Sequence, residues 1–207
     1  MVIRAVTLVA LTLVLVCVLY LPSVYPPERF LAQLSAEHDQ ARSFWGEEGA
    51  VRILARTLAM QQRWRQSEPA GRRSAGQGAH AMPVVSSELS QVHERLFHSE
   101  YFRAIDALFV LATYRFAALL EWLPWLSLFV AAAAVDGLVR RVVKSKEFLH
   151  HDPELFALHA SLAIVVACAT IVALVLPWAV HPLALGFAPI AVATCGRFAI
   201  ANYHRRA

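Results

Sequence analysis

Polar and apolar residues alternate along this chain in long blocks rather than at short intervals. The first apolar block runs from about Ala5 to Leu21, "AVTLVALTLVLVCVLYL", with Arg4 before it and Pro22, Pro26 and Pro27 after it. A second runs from about Leu119 or Trp122 to Val139, a third from about Leu155 to Pro177, and a fourth from about Leu183 to Ala201. A bilayer's hydrocarbon core is about 30 Å thick and takes roughly 20 apolar helical residues to cross, so each block predicts a spanning helix. "WAVHP" between the third and fourth is short enough to predict a tight hairpin of two membrane helices. A weaker patch from Ala104 to Leu120 carries Asp106 and Arg115. It predicts either an amphipathic helix at the interface or an extension leading into the second span.

Between the first and second blocks the period changes. Phe30, Leu31, Leu34, Ala41 and Trp45 recur at helical spacing from Glu28 to Trp45, and Val51, Leu54, Leu58 and Ala59 do so from about Glu47 to Arg65. Gly, Ala, Pro and Ser dominate Ser67 to Pro83, which predicts a flexible loop over 67–83. Ser86 or Ser87 then caps a helix from Glu88 to Arg103. Strand-like alternation of useful length is missing. The fold class expected is therefore all-α: a polytopic membrane protein with four transmembrane helices and an extracytoplasmic helical region. Its parts are an N-terminal anchor over 1–22, an extracytoplasmic region over 23–117 and a three-helix membrane bundle over 118–207. The bundle includes a basic link over 140–154.

Composition strengthens the membrane reading. Of 207 residues, 58% are hydrophobic and 16% charged, more apolar than an ordinary soluble domain can bury. Arg4, the group Arg140, Arg141, Lys144 and Lys146, and the tail pair Arg205 and Arg206 fall on one side when there are four spans. The positive-inside rule puts that side, with both termini, in the cytoplasm, and the setting expected is a bacterial inner membrane. Residues 23–117 then lie in the periplasm of a Gram-negative host; a loop of that length crosses largely regardless of charge. "YLPSVYPPE" offers no small-residue cleavage site and Val16 precedes Cys17, so the first span is expected to stay as an uncleaved anchor. Cys17, Cys168 and Cys195 all fall within predicted spans, which excludes a disulfide in the exported region.

Candidate chemistry is sparse. Asp136 lies one helical turn before Arg140, so an i,i+4 ion pair is available at a helix end. Asp136 and Arg140 could instead grip another helix or a partner, with Gly137 permitting close approach. Arg115 and Glu121 are expected to pair or snorkel at the outer interface, and Arg197 to snorkel to headgroups. His150, His151, Asp152 and His159 raise a metal site, but adjacent histidines diverge on a helix and no ligand spacing is recognisable. Asp152 as N-cap, Pro153 and Glu154 fit a helix start better. Glu37, His38, Asp39, Glu47, Glu48, His93 and His98 could serve a hydrolase, though any solvated helix surface carries such groups. Ser127 and Ser161 lack a nucleophile's glycine-rich setting, and there is no phosphate-binding or dinucleotide motif. Catalytic residues, metal and cofactor are all expected to be none. Arg52, Arg56, Arg63 and Arg65 beside Trp64 superficially suggest a nucleic-acid-binding helix. Placement outside the cytoplasm argues for a solvated face, lipid headgroups or an acidic partner instead.

One stretch, "VDGLVRRV" from Val135 to Val142, followed by a basic link and by "ELFALHA" from Glu154 to Ala160, resembles a known family. It is similar to the multi-pass membrane proteins of integrating conjugative elements, encoded near the conjugative coupling protein. Asp136, Gly137, Arg141 and His159 are the matching positions. "SKEFLHHDP" departs from that family's Gly- and Ser-rich link, which leaves His150 and His151 without a role. The resemblance implies a non-enzymatic accessory of a type IV secretion (DNA transfer) system. Such a protein would dock to the coupling ATPase or another membrane subunit through Asp136, Gly137, Arg140, Arg141 and His159. The bilayer and a second copy of the chain are further partners; direct nucleic-acid contact is not expected. The alternatives are a small membrane enzyme or transporter using the exported His and acidic residues, or an exclusion or immunity protein.

Overall fold

A computed structural model describes residues 2–67, 100–147 and 152–203. Among the described residues there are five helices: α1 (Val2–Val24), α2 (Pro27–Ser67), α3 (Glu100–Lys146), α4 (Pro153–Val175) and α5 (Pro182–Asn202). There is no strand among the described residues. The all-α expectation holds, and α1, α3, α4 and α5 are each long and apolar enough to cross a membrane. Most of loop 67–83, the helix expected from Glu88, and His93, His98, His150, His151, Arg205 and Arg206 lie outside the described residues.

The apolar residues are on the outside. Leu8, Leu13, Trp125, Leu128 and Phe187 are all at least 60% exposed. In water such surface would drive aggregation, whereas lipid solvates it without cost. Polar side chains within these helices turn back on their own carbonyls. Thr7 Oγ1 donates to Ile3 O at 2.8 Å, and Thr170 and Thr194 donate to Val166 O and Ile190 O at the same distance.

The chain divides into two compact units, Met1–Leu19 with Ala118–Ala207, and Tyr20–Ala117. In the second, α2 packs on the first half of α3, burying Phe30, Ala41, Ala50, Ile53, Leu108, Leu111, Tyr114 and Ala117. The two helical stretches expected on either side of Gly46 are joined there by a bend at φ 75°, ψ 174°. That region of backbone is essentially closed to residues with a Cβ.

Of the two alternatives for Ala104 to Leu120, the chain takes the extension into the second apolar block: α3 is continuous over 47 residues. At its other end α3 continues to Lys146, so the basic residues expected in a link are helical. No residue after Gly137 breaks the helix, and cations in the last turn suit its negative dipole end.

In the first unit, α4 and α5 form the expected hairpin and pack along each other. Asp152 occupies the N-cap of α4 in extended geometry, φ −82° and ψ 106°, with Pro153 starting the helix, as the sequence indicates. α3 joins them parallel to α5: Trp122 meets Pro182, Asp136 meets Arg197 and Lys144 meets Asn202, at separations of 60, 61 and 58 residues.

Candidate functional site

The α3–α5 seam is pinned at both ends by a glycine. At one end Trp122 Nε1 donates to Pro182 O at 3.1 Å, and its ring covers Gly186, where a Cβ would come within 3.0 Å of the indole. Trp122 therefore packs between helices rather than belonging to an outward aromatic belt, whereas Trp125, 76% exposed, does face outward. At the other end a Cβ on Gly137 would lie 2.8 Å from Arg197 O and 3.2 Å from Ile200 Cβ. A glycine is what lets the two backbones come this close.

Beside Gly137, Asp136 Oδ2 accepts from two guanidiniums. Arg140 Nε lies at 3.0 Å, the i,i+4 partner visible in the sequence. Arg197 Nε makes the second bond from α5. The expectation that Arg197 snorkels to headgroups is thus corrected: its nearest anion is Asp136, and its guanidinium lies 5.4 Å from the Phe198 ring centroid. Pairing across the seam saves both ions from an uncompensated position at membrane depth.

Further along, Arg141 stacks its guanidinium 4.8 Å from the Tyr203 ring centroid, and Lys144 Nζ donates to Asn202 Oδ1 at 2.6 Å. Asn202 Nδ2 in turn donates to Phe198 O at 3.0 Å. From α4, His159 Nδ1 lies 2.7 Å from Leu155 O, and its ring centroid is 5.0 Å from that of Phe198. A carbonyl only accepts, so in this bond Nδ1 is the donor. Asp136, Gly137, Arg140, Arg141 and His159 are therefore gathered at one end of the three-helix unit, each touching α5 or a neighbour of it. Asp136 and Gly137 are engaged within the chain, while the Arg140 side chain remains 54% exposed. Sequence reasoning missed Arg197, Lys144, Phe198, Asn202 and Tyr203 as the other half of this end. The signal available was a lone acid and a lone arginine at matching depth in two spans.

The residues of the Tyr20–Ala117 unit behave differently. Glu37 is buried against a fully buried Arg115, whose Nε reaches Oε1 and Oε2 at 3.1 and 2.9 Å and whose Nη2 closes a forked pair. Gln33 Nε2 adds a bond to Glu37 Oε1 at 3.0 Å. Arg115 thus has a partner on α2, Glu37, that the sequence did not indicate. Next to this pair, Tyr114 Oη lies 3.3 Å from His38 Nδ1. Burial, and then the negative charge of Glu37, push the Tyr114 hydroxyl up to about 12. Asp39 and Glu48 face solvent, and Glu47 reaches only Arg42, at 4.0 Å. The acids named for a hydrolase are therefore dispersed, and Glu37 is sealed from substrate. Ser127 Oγ donates to Pro124 O at 2.9 Å. Among the described residues no three His, Cys, Asp or Glu side chains converge on a metal-sized point.

Residues 39–202 match a family model described as IncC plasmid conjugative DNA transfer protein DtrJ-like. No curated protein and no solved structure matches the chain. The matched region takes in most of α2 and all of α3, α4 and α5, with the α3–α5 seam up to Asn202. The chain belongs to the DtrJ-like family of conjugative DNA transfer proteins.

Proposed function

We propose that this chain is a non-enzymatic accessory of a conjugative type IV secretion system, carried by a conjugative plasmid or an integrating conjugative element. It sits in the bacterial inner membrane with both termini and the 140–154 link in the cytoplasm and residues 23–117 outside. It docks to transmembrane helices of the coupling ATPase, or of another membrane subunit, through the charged end of α3.

The observation that carries this reading is the state of that end. Asp136, Gly137 and Arg197 lock α3 to α5, and a locked seam holds Arg140 and Arg141 in fixed positions one turn beyond it. A preorganised cation costs less entropy to engage than a mobile one. Arg140 has half its side chain free for an acidic group on a partner.

The test is co-purification of the tagged chain with the coupling protein from cells carrying the transfer genes. Recovery is expected to fall at least tenfold, about 1.4 kcal/mol of binding, in the Asp136→Ala/Arg141→Ala double variant and in Arg140→Glu, at unchanged membrane abundance. Recovery equal to the parent chain in both variants would remove the docking assignment.

A further inference from the structure

Past the bend at Gly46, α2 turns a second face outward. Its inner face buries Ala50, Ile53 and Thr57. On the neighbouring face, about 100° round the helix, Val51, Leu54 and Leu58 are 53%, 37% and 52% exposed, at the i, i+3, i+7 spacing of one helical stripe. Trp64 follows at 73% exposure. From Gly49 to Ser67 the sequence holds Arg52, Arg56, Arg63 and Arg65 and no acidic residue. An aliphatic stripe with a basic, tryptophan-bearing border is the chemistry of a helix lying in a membrane interface.

Its place in the fold agrees. Arg56 Nη1 donates to Ala117 O at 3.4 Å, which sets this part of α2 beside α3 immediately before the residues at which α3 becomes an apolar span.

We infer that the second half of α2 is a lipid-surface site: Val51, Leu54 and Leu58 enter the acyl boundary, and Arg52, Arg63 and Trp64 contact anionic phospholipid headgroups. Nucleic acid fits the arginines but not the stripe, because leucine and valine gain nothing from a phosphodiester surface that leaves them wet. An acidic protein would likewise leave the stripe unexplained. The inference rests on the membrane reading of α3 and is independent of the Asp136 end.

The test uses the full chain with Cys17, Cys168 and Cys195 replaced by alanine and a single environment-sensitive fluorophore at Leu58→Cys, Val51→Cys or Leu128→Cys. Each protein is reconstituted in nanodiscs of phosphatidylcholine alone or with a quarter phosphatidylglycerol, and quenched by lipids bearing a nitroxide near the headgroup or deep in the chain. Labels at 58 and 51 are expected to lose at least half their emission to the shallow nitroxide in the anionic discs. Arg52→Gln with Arg63→Gln should cut that quenching at least twofold. The label at 128 should be quenched by the deep nitroxide throughout. Quenching at 128 with none at 58 or 51 in either lipid overturns the inference and leaves the membrane reading standing. Loss of quenching at 128 as well overturns both. Protection of 58 by added duplex DNA without lipid quenching overturns it in favour of nucleic acid.

Discussion

Arg115 and Glu37 are the residues whose loss should be felt most. A bidentate pair sealed from water is costly to break from one side, because the remaining charge has no solvent. Arg115→Met is expected to destabilise the Tyr20–Ala117 unit by ~3–5 kcal/mol, and Glu37→Leu added to it should recover much of that loss. Thermal unfolding of the detergent-solubilised chain measures both, and a double variant no better than the single would deny the pair its role. Gly137 offers a second comparison. Gly137→Ala forces a Cβ onto the Arg197 backbone and should cost about 1–3 kcal/mol, whereas Gly196, with nothing within 4 Å of its absent Cβ, should accept alanine without loss. Tyr114 sets an alkaline limit. Its hydroxyl ionises near 10 when unfolded and about 12 when folded, so the folded state holds a proton that the unfolded state gives up. The contribution is complete below pH 10 and is lost as pH rises towards 12, and Tyr114→Phe should flatten that loss in an alkaline unfolding series. Of these contacts the sequence disclosed only Asp136–Arg140, because an i,i+4 pair is fixed by the helix alone. Arg115–Glu37 and Asp136–Arg197 join residues 78 and 61 apart, and each depends on a helix-to-helix register that no local pattern encodes.

Helices were easier to read than their ends. The four apolar runs announce α1, α3, α4 and α5 because crossing hydrocarbon demands an uninterrupted apolar stretch. The two helical stretches of α2 were legible as well, from Glu28 to Trp45 and from about Glu47 to Arg65, though the bend that joins them at Gly46 was not. Gly46→Ala should cost about 1–3 kcal/mol, as the φ 75°, ψ 174° conformation admits no Cβ without strain. Proteolysis of the variant under native conditions, compared with the parent, reports whether the bend has opened. What could not be read was continuity. Pro22, which the apolar pattern puts after the first span, lies inside α1, while α3 runs through Pro124 as the second apolar block does. A membrane tolerates proline inside a helix when neighbouring groups re-satisfy the backbone. Tyr25 N donating to Leu21 O at 3.0 Å closes the turn around Pro22.

At the scale of the whole molecule, two kinds of chemistry are kept apart. The Tyr20–Ala117 unit buries the Arg115–Glu37 ion pair and carries an ordinary aliphatic core. The other unit turns its aliphatic surface outward and gathers Asp136, Arg140, Arg141, Lys144 and Arg197 at one end. Arginine-rich positions on one side of the spans orient such a chain, and that orientation underlies the docking proposed for α3 and the lipid site proposed for α2 alike. The most direct test is a pair of reporter fusions in the bacterial host, one inserted after Gly76 and one after Lys146, each made with alkaline phosphatase and with green fluorescent protein. The account predicts active phosphatase and dark fluorescent protein after Gly76, and the reverse after Lys146. Fluorescence with inactive phosphatase after Gly76 would contradict it, and would put the arginine-bearing half of α2 in the compartment that holds the DNA.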